Sequence, residues 1–317
     1  MKKTILLSLI VSSLVMGANT VDNLTINEQE NQINTTTIDE ARVHQGKTEV
    51  VGNSDVDDVT IDQDNTIEAS TIESSYENNS PSVLQGLTKI NDSEAKFSQL
   101  NSANTIKNVE VLNSIIEQGS FVMNESNITS TSANDIKITS TNIVEDSSVD
   151  EGLDINATEV KQSVITLLNG AKVKNLNLNY KNTISGTDAE STKIHQGILT
   201  INSSEVDGID TSESGGYTNN LNSVLESKII GGSVVQSAIY ISENSLIKDL
   251  ENESENTIEN FQSENTNITQ NKTTITDSHV SDFKTTQVNT IEGVIADGSY
   301  TGWANTSKIS QGETTIN

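Results

Sequence analysis

Thr192-Lys193-Ile194-His195-Gln196-Gly197-Ile198-Leu199-Thr200-Ile201-Asn202-Ser203-Ser204-Glu205-Val206 is the most legible copy of a unit that recurs down to the last residue of the chain. Its order is an apolar residue, one variable residue, Gln-Gly, three residues, an apolar residue and Asn. The same order stands at Val83 to Asn91 (around Gln85-Gly86), Ile116 to Asn124 (around Gln118-Gly119) and Ile309 to Asn317 (around Gln311-Gly312). Looser copies are Val43-His44-Gln45-Gly46, Val149-Asp150-Glu151-Gly152, Ile229-Ile230-Gly231-Gly232 and Ile268-Thr269-Gln270-Asn271.

A second motif, Asn-Thr-Ile, alternates with the first. It occurs at Asn65-Thr66-Ile67, Asn104-Thr105-Ile106, Asn182-Thr183-Ile184, Asn256-Thr257-Ile258 and Asn289-Thr290-Ile291, with a variant at Asn142-Ile143. Successive glutamine positions are 33 to 45 residues apart, yet the step from Asn to Gln is 14 in three units, Asn104 to Gln118, Asn182 to Gln196 and Asn256 to Gln270. Fixed spacing inside a unit with elastic spacing between units is the mark of stacked repeats joined by variable loops.

Within units the apolar residues alternate with polar ones, as in Lys172-Val173-Lys174-Asn175-Leu176-Asn177-Leu178. A period of two predicts strands, and no apolar stripe at helical spacing competes with it. The expected fold is all-β: a single-stranded, β-helix-like β-solenoid of about eight irregular units of 33–45 residues. It spans residues 34–317, after a polar cap or arm at 19–33. Rungs of about 18 to 20 residues, as in β-helix repeats, would give each unit about two rungs. The residues expected to point inward are Ile67, Val83, Ile90, Ile106, Ile116, Ile184, Ile194, Ile201, Val206, Ile258, Ile268, Ile275, Ile291, Ile309 and Ile316. Turns carrying amide ladders are expected at Gln45, Gln85, Gly86, Asn91, Gln118, Gly119, Asn124, Gln196, Gly197, Asn202, Gln270, Gln311, Gly312 and Asn317. There each amide bonds its copies above and below, and Gly supplies positive φ.

Composition weighs on the same side. Only 32% of the 317 residues are hydrophobic and 3% aromatic, too few for conventional globular cores. Such a composition also suits a disordered acidic chain, but disordered linkers are enriched in Pro, and this chain has one. Eighteen Lys and Arg against 45 Asp and Glu give a net charge of −27, which argues against nucleic acid as a partner. With no Cys there are no disulfides and no thiolate metal sites.

Residues 1–18 read as a signal peptide. Lys2 and Lys3 precede an apolar run from Ile5 to Val15, too short to span a bilayer, and small residues Gly17 and Ala18 follow. Cleavage there takes the charge from −27 to −29, since Lys2 and Lys3 are the charged residues removed. The expected location is outside a bacterial cell or on its surface, the periplasm being the lesser choice, with no membrane insertion. The chain stops within a motif, at Ile316-Asn317, and no C-terminal domain is expected.

No constellation for catalysis stands out, so a non-enzymatic protein is expected. His44 and His195 occupy the same repeat position, where other units carry Leu84, Glu117, Asp150, Thr269 and Ser310; a position that variable is expected to face solvent. His279 stands apart. The run Asp55 to Asp64 lacks the Gly and terminal Glu of an EF-hand loop, so cofactors are expected to be none, beyond weak Ca²⁺ association.

The succession of apolar residue, one residue, Gln-Gly and then Asn, as at Ile194 to Val206, resembles the repeat of curli-type amyloid fibre subunits, and the acidic, exported character is similar to that of bacterial β-solenoid surface proteins. The resemblance implies Gln and Asn ladders and assembly outside the cell. It points to a self-associating fibre or biofilm-matrix subunit, or a surface adhesin engaging a host or matrix surface. A carbohydrate-binding or polysaccharide-cleaving β-helix is the alternative, disfavoured by the scarcity of aromatic residues.

Overall fold

The computed structural model describes residues 20–22, 25–35, 37–39, 43–52, 55–73, 83–112, 115–129, 136–150, 159–190, 192–210, 212–213, 217–218, 220–230, 232–264, 266–281, 284–297 and 308–317. The expected signal peptide lies outside them. Among the described residues the chain is all-β, without helix, and almost every strand belongs to one of three parallel sheets of twelve, eight and eleven strands. A short antiparallel pair, Ser212–Glu213 with Tyr217–Thr218, is the exception.

The three sheets follow one another along each repeat. The first, the asparagine sheet, holds long strands such as Asp55–Glu68, Glu94–Lys107, Lys172–Ser185 and Leu246–Glu259. Three-residue strands such as Thr71–Glu73, Glu110–Leu112 and Ser148–Asp150 form the second. The glutamine sheet holds Glu159–Leu168, Lys193–Asn202, Ser233–Ser242 and Asn267–Ile275. Parallel neighbours cannot be joined by a tight turn, and here the rest of a repeat makes the connection.

Register follows the repeat. Asn65 pairs with Asn104, Asn104 with Asn142, Asn142 with Asn182, and Asn182 with Asn222, keeping like residues in one row. Each long strand pairs with its counterpart one unit further on. A unit therefore supplies one level to each sheet, not the two that short rungs would make. The remaining length goes into a third, short side, which the two-residue alternation alone does not reveal. Residues 25–34 pair with Asp55–Glu68 and bury Asn31 and Ile33, so they form part of the asparagine sheet.

Inward positions alternate with outward ones until a residue with positive φ intervenes. In Lys193–Asn202, Ile194 and Gln196 are buried, then Gly197 at φ 64° shifts the phase by one residue, so that Leu199 and Ile201 are the next to point inward. The same shift gives Val43 and Gln45 before Gly46, and Val50 after it. Ile67, Ile106, Ile184 and Ile258 pack with Val83, Ile116, Ile194 and Ile268 in one continuous apolar stack. Beyond the glutamine in the same sheet, Val50, Ile90, Met123, Ile201 and Ile241 form further buried rows. Each wholly buried Ile or Val is worth about 1.5–3 kcal/mol in transfer, which lets a chain this polar hold a thin, dry interior.

Corners close with serine. After a left-handed residue, Ser93, Ser126, Ser204 and Ser227 each turn a hydroxyl back to the carbonyl two residues earlier, at 2.7–2.9 Å. The amide of Ser93 donates to Ser126 Oγ at 3.2 Å, so the corners too are linked from level to level.

Candidate functional site: the amide ladders and the last level

Two rows of amides run through the interior between the apolar stacks. Glutamine Nε2 donates to glutamine Oε1 of the preceding level: Gln85 to Gln45 at 2.8 Å, Gln118 to Gln85 at 2.8 Å, Gln162 to Gln118 at 2.9 Å and Gln196 to Gln162 at 2.8 Å. Gln236, Gln270 and Gln311 continue the row at 2.9, 2.9 and 2.7 Å. From Gln45 to Gln196, and again at Gln270, an Nε2 hydrogen goes across to a backbone carbonyl of the asparagine sheet. Gln45 reaches Asn31 O at 3.1 Å and Gln85 reaches Asn65 O at 3.2 Å. A carbonyl only accepts, and this fixes the sense of the row: donors point to earlier levels.

The asparagine row runs the opposite way. Asn31 Nδ2 donates to Asn65 Oδ1 at 2.8 Å, Asn65 to Asn104 at 2.9 Å and Asn104 to Asn142 at 2.8 Å. Asn142, Asn182, Asn222 and Asn256 extend it to Asn289. These amides are buried along nearly the whole length, Gln45 to Gln270 at 0% exposure. A buried amide without partners costs roughly 1–3 kcal/mol by mutational measure, and the ladders remove that cost.

The glutamines therefore lie in strands within the interior, each followed by a residue with positive φ. Two levels depart from the sequence reading. Val149-Asp150 and Ile229-Ile230 belong to the short-strand sheet, while Glu151 and Gly231 fall outside the described residues. Gln162 and Gln236 hold the ladder positions at these levels, each followed by Ser instead of Gly. Ser163 and Ser237 still adopt φ 53°, and their hydroxyls bond the asparagine row: Ser163 Oγ donates to Asn182 Oδ1 and Ser237 Oγ to Asn256 Oδ1, both at 2.9 Å. Where Gly stands, the space is taken from the other side. A Cβ on Gly119 would run into Ser140 Oγ and the Asn142 amide. The signal that finds Gln236 is the 14-residue step from Asn222; requiring Gly conceals it.

The other sequence-derived positions are distributed as follows. Asn124 Nδ2 donates to Asn91 Oδ1 at 2.7 Å, and Asn169 joins this partly exposed outer row at 2.7 Å. Asn202 does not extend the row; it stands opposite Ser242 and receives the Ser204 hydroxyl at its carbonyl. The side chain of Val206 lies outside the described residues. Ile291 is partly buried against the core. Ile309 and Ile316 are 45% and 72% exposed, because among the described residues no further level stacks on them. Gly312, at φ 67°, faces open space, and Asn317 N donates to Ile275 O at 3.0 Å.

His195 is half-buried, between Lys161 and Val235 in the outward row of the glutamine sheet. Burial holds its imidazole below the ordinary value, with Lys161 and Lys193 adding to the effect and Glu159 opposing it. Glu159 is itself subject to burial that would raise it, but Lys161 at 2.6 Å and Lys193 at 3.9 Å outweigh this, and its net shift is downward. Among the described residues, no group of three or more His, Cys, Asp or Glu is placed to hold a metal ion. A gap of about 10 Å³ beside Ser120 and Phe121 has room for a water and little more.

No family model, curated protein or solved structure matches the chain.

Proposed function

We propose that the chain is a single-stranded β-solenoid of about eight levels, exported by a bacterium after loss of residues 1–18, with a structural role: a self-associating subunit of an extracellular fibre or biofilm matrix, or a surface adhesin. The supporting observation is the interior. Two amide ladders cross the described levels without interruption, an arrangement whose cohesion grows with every level added. An open parallel edge can add another strand. The net charge, −29 once Lys2 and Lys3 are lost, opposes association at low ionic strength, and salt or Ca²⁺ relieves that repulsion. Electron microscopy of purified protein incubated with and without Ca²⁺ tests the reading: filaments or higher oligomers are expected, and persistent monomers in both conditions would overturn it.

A further inference from the structure

Among the described residues the large apolar side chains left exposed are Val288, Ile295, Ile309 and Ile316, all on the last level of the three sheets. Ile309 and Ile316 sit in rows whose preceding members, Ile268 and Ile275, are buried, so they present the uncovered end of the interior. At the opposite end Asn31, 2% exposed, has an Oδ1 with no partner. The opposite senses of the ladders make these ends complementary. The last level offers Asn289 Nδ2, whose Oδ1 alone is engaged, and Gln311 Oε1, whose Nε2 is already given to Gln270. Asn31 at the first level needs a donor. Gln45 Nε2, which bonds only backbone carbonyls there, can supply one to a preceding glutamine.

From these terminal groups we infer that the partner of the last level is the first level of a second copy, joined head to tail in the same register, with Asn289 Nδ2 donating to Asn31 Oδ1 of the next copy and its Gln45 Nε2 donating to Gln311 Oε1. The inference rests on the self-association proposed above and names its surface. A tail-to-tail pair would set donor against donor at Asn289 and acceptor against acceptor at Gln311. Ile33, Val43 and Val50 of the first level are buried, so the join is tested on the full chain and on the chain from Asn19 that the proposed export leaves.

Continuing the glutamine-sheet register across the join sets Ser310 beside His44 of the next copy, since Ser310 pairs with Thr269 and His44 with Leu84. The chain has no Cys, so introduced thiols are unique. The test treats His44→Cys, Ser310→Cys and the double variant with a short bismaleimide at low and high salt, both as full chains and as chains from Asn19, with circular dichroism checking the fold. The double variant from Asn19 is expected to give a ladder of multimers, a mixture of the single variants a dimer, and Ser310→Cys alone none. Ile316→Lys should lower the sedimenting fraction several-fold. Dimers from Ser310→Cys alone would overturn the head-to-tail join in favour of a tail-to-tail one. Wild-type protein that sediments as oligomers while the double variant fails to cross-link in either form would overturn the join and leave self-association standing. Monomers throughout would overturn both.

Discussion

At the residue scale, the glutamine row shows why a buried amide is stable only as one of a series. Gln118 both donates to Gln85 and accepts from Gln162, so Gln118→Leu strands an acceptor on one side and a donor on the other. With about 1–3 kcal/mol for each stranded group, the substitution should lower unfolding free energy by about 3 kcal/mol, read as a shift in the urea midpoint. Gln311→Leu, which strands only Gln270 Oε1, should cost less than half as much. Equal costs would mean that the amides contribute through packing and not through the ladder. The spacing of 14 from Asn to Gln is legible in sequence because it carries the chain from the asparagine row to the glutamine row that faces it; the glutamine amide then reaches a carbonyl of the asparagine sheet, the asparagine's own for Gln45 and Gln270 and that of Ile143 and Ser223 for Gln118 and Gln196.

At the scale of the element, strands here are short runs of alternation separated by left-handed corners, and each corner resets which residues face inward. Several corners use residues that pay for that conformation with strain. Glu226, exposed at φ 48°, keeps its amide bonded to Glu259 O at 3.0 Å, while Gly186 and Gly293 occupy equivalent corners on other levels. Relieving a left-handed non-glycine residue is worth about 1 kcal/mol, so Glu226→Gly should raise the melting temperature by about 2–4 °C. A fall would show that the glutamate side chain contributes more than its backbone costs. Corner positions are hard to find from sequence because Ala69, Asp92, Asn108 and Glu125 all serve, at φ 49–52°. The hydrogen bonds of neighbouring levels impose the conformation where the residue itself does not prefer it.

At the scale of the whole molecule, each level contacts chiefly the levels before and after it, so stability should follow position in the stack. Interior amides such as those of Ile106, Ile184 and Ile201 are sandwiched between paired strands. Those of Lys308–Ile316 pair on one side only among the described residues. Hydrogen exchange should therefore be slowest across roughly residues 100–250 and faster by at least tenfold in 308–316. Uniform protection to the last strand would imply that the end is covered in solution, as it would be within a head-to-tail assembly, and dilution should then restore the gradient. Outward ion pairs, such as Lys107 with Glu145 at 3.2 Å, are exposed and add little to this gradient.

The sequence by itself determined that the chain forms strands and that like residues stack, because a two-residue period can bury Ile only on a pleated surface and a repeated Asn or Gln finds its best partner in another copy of itself. The tertiary structure decided how many strands a repeat contributes to each sheet, that Gln162 and Gln236 hold ladder positions, and that Ile309 and Ile316 differ from their counterparts. Spacing along the chain is blind to these. A loop of variable length hides which glutamine closes a level, a serine can take a glycine's conformation once its hydroxyl bonds the asparagine row, and exposure depends on whether another level lies above, which no residue carries in its own identity.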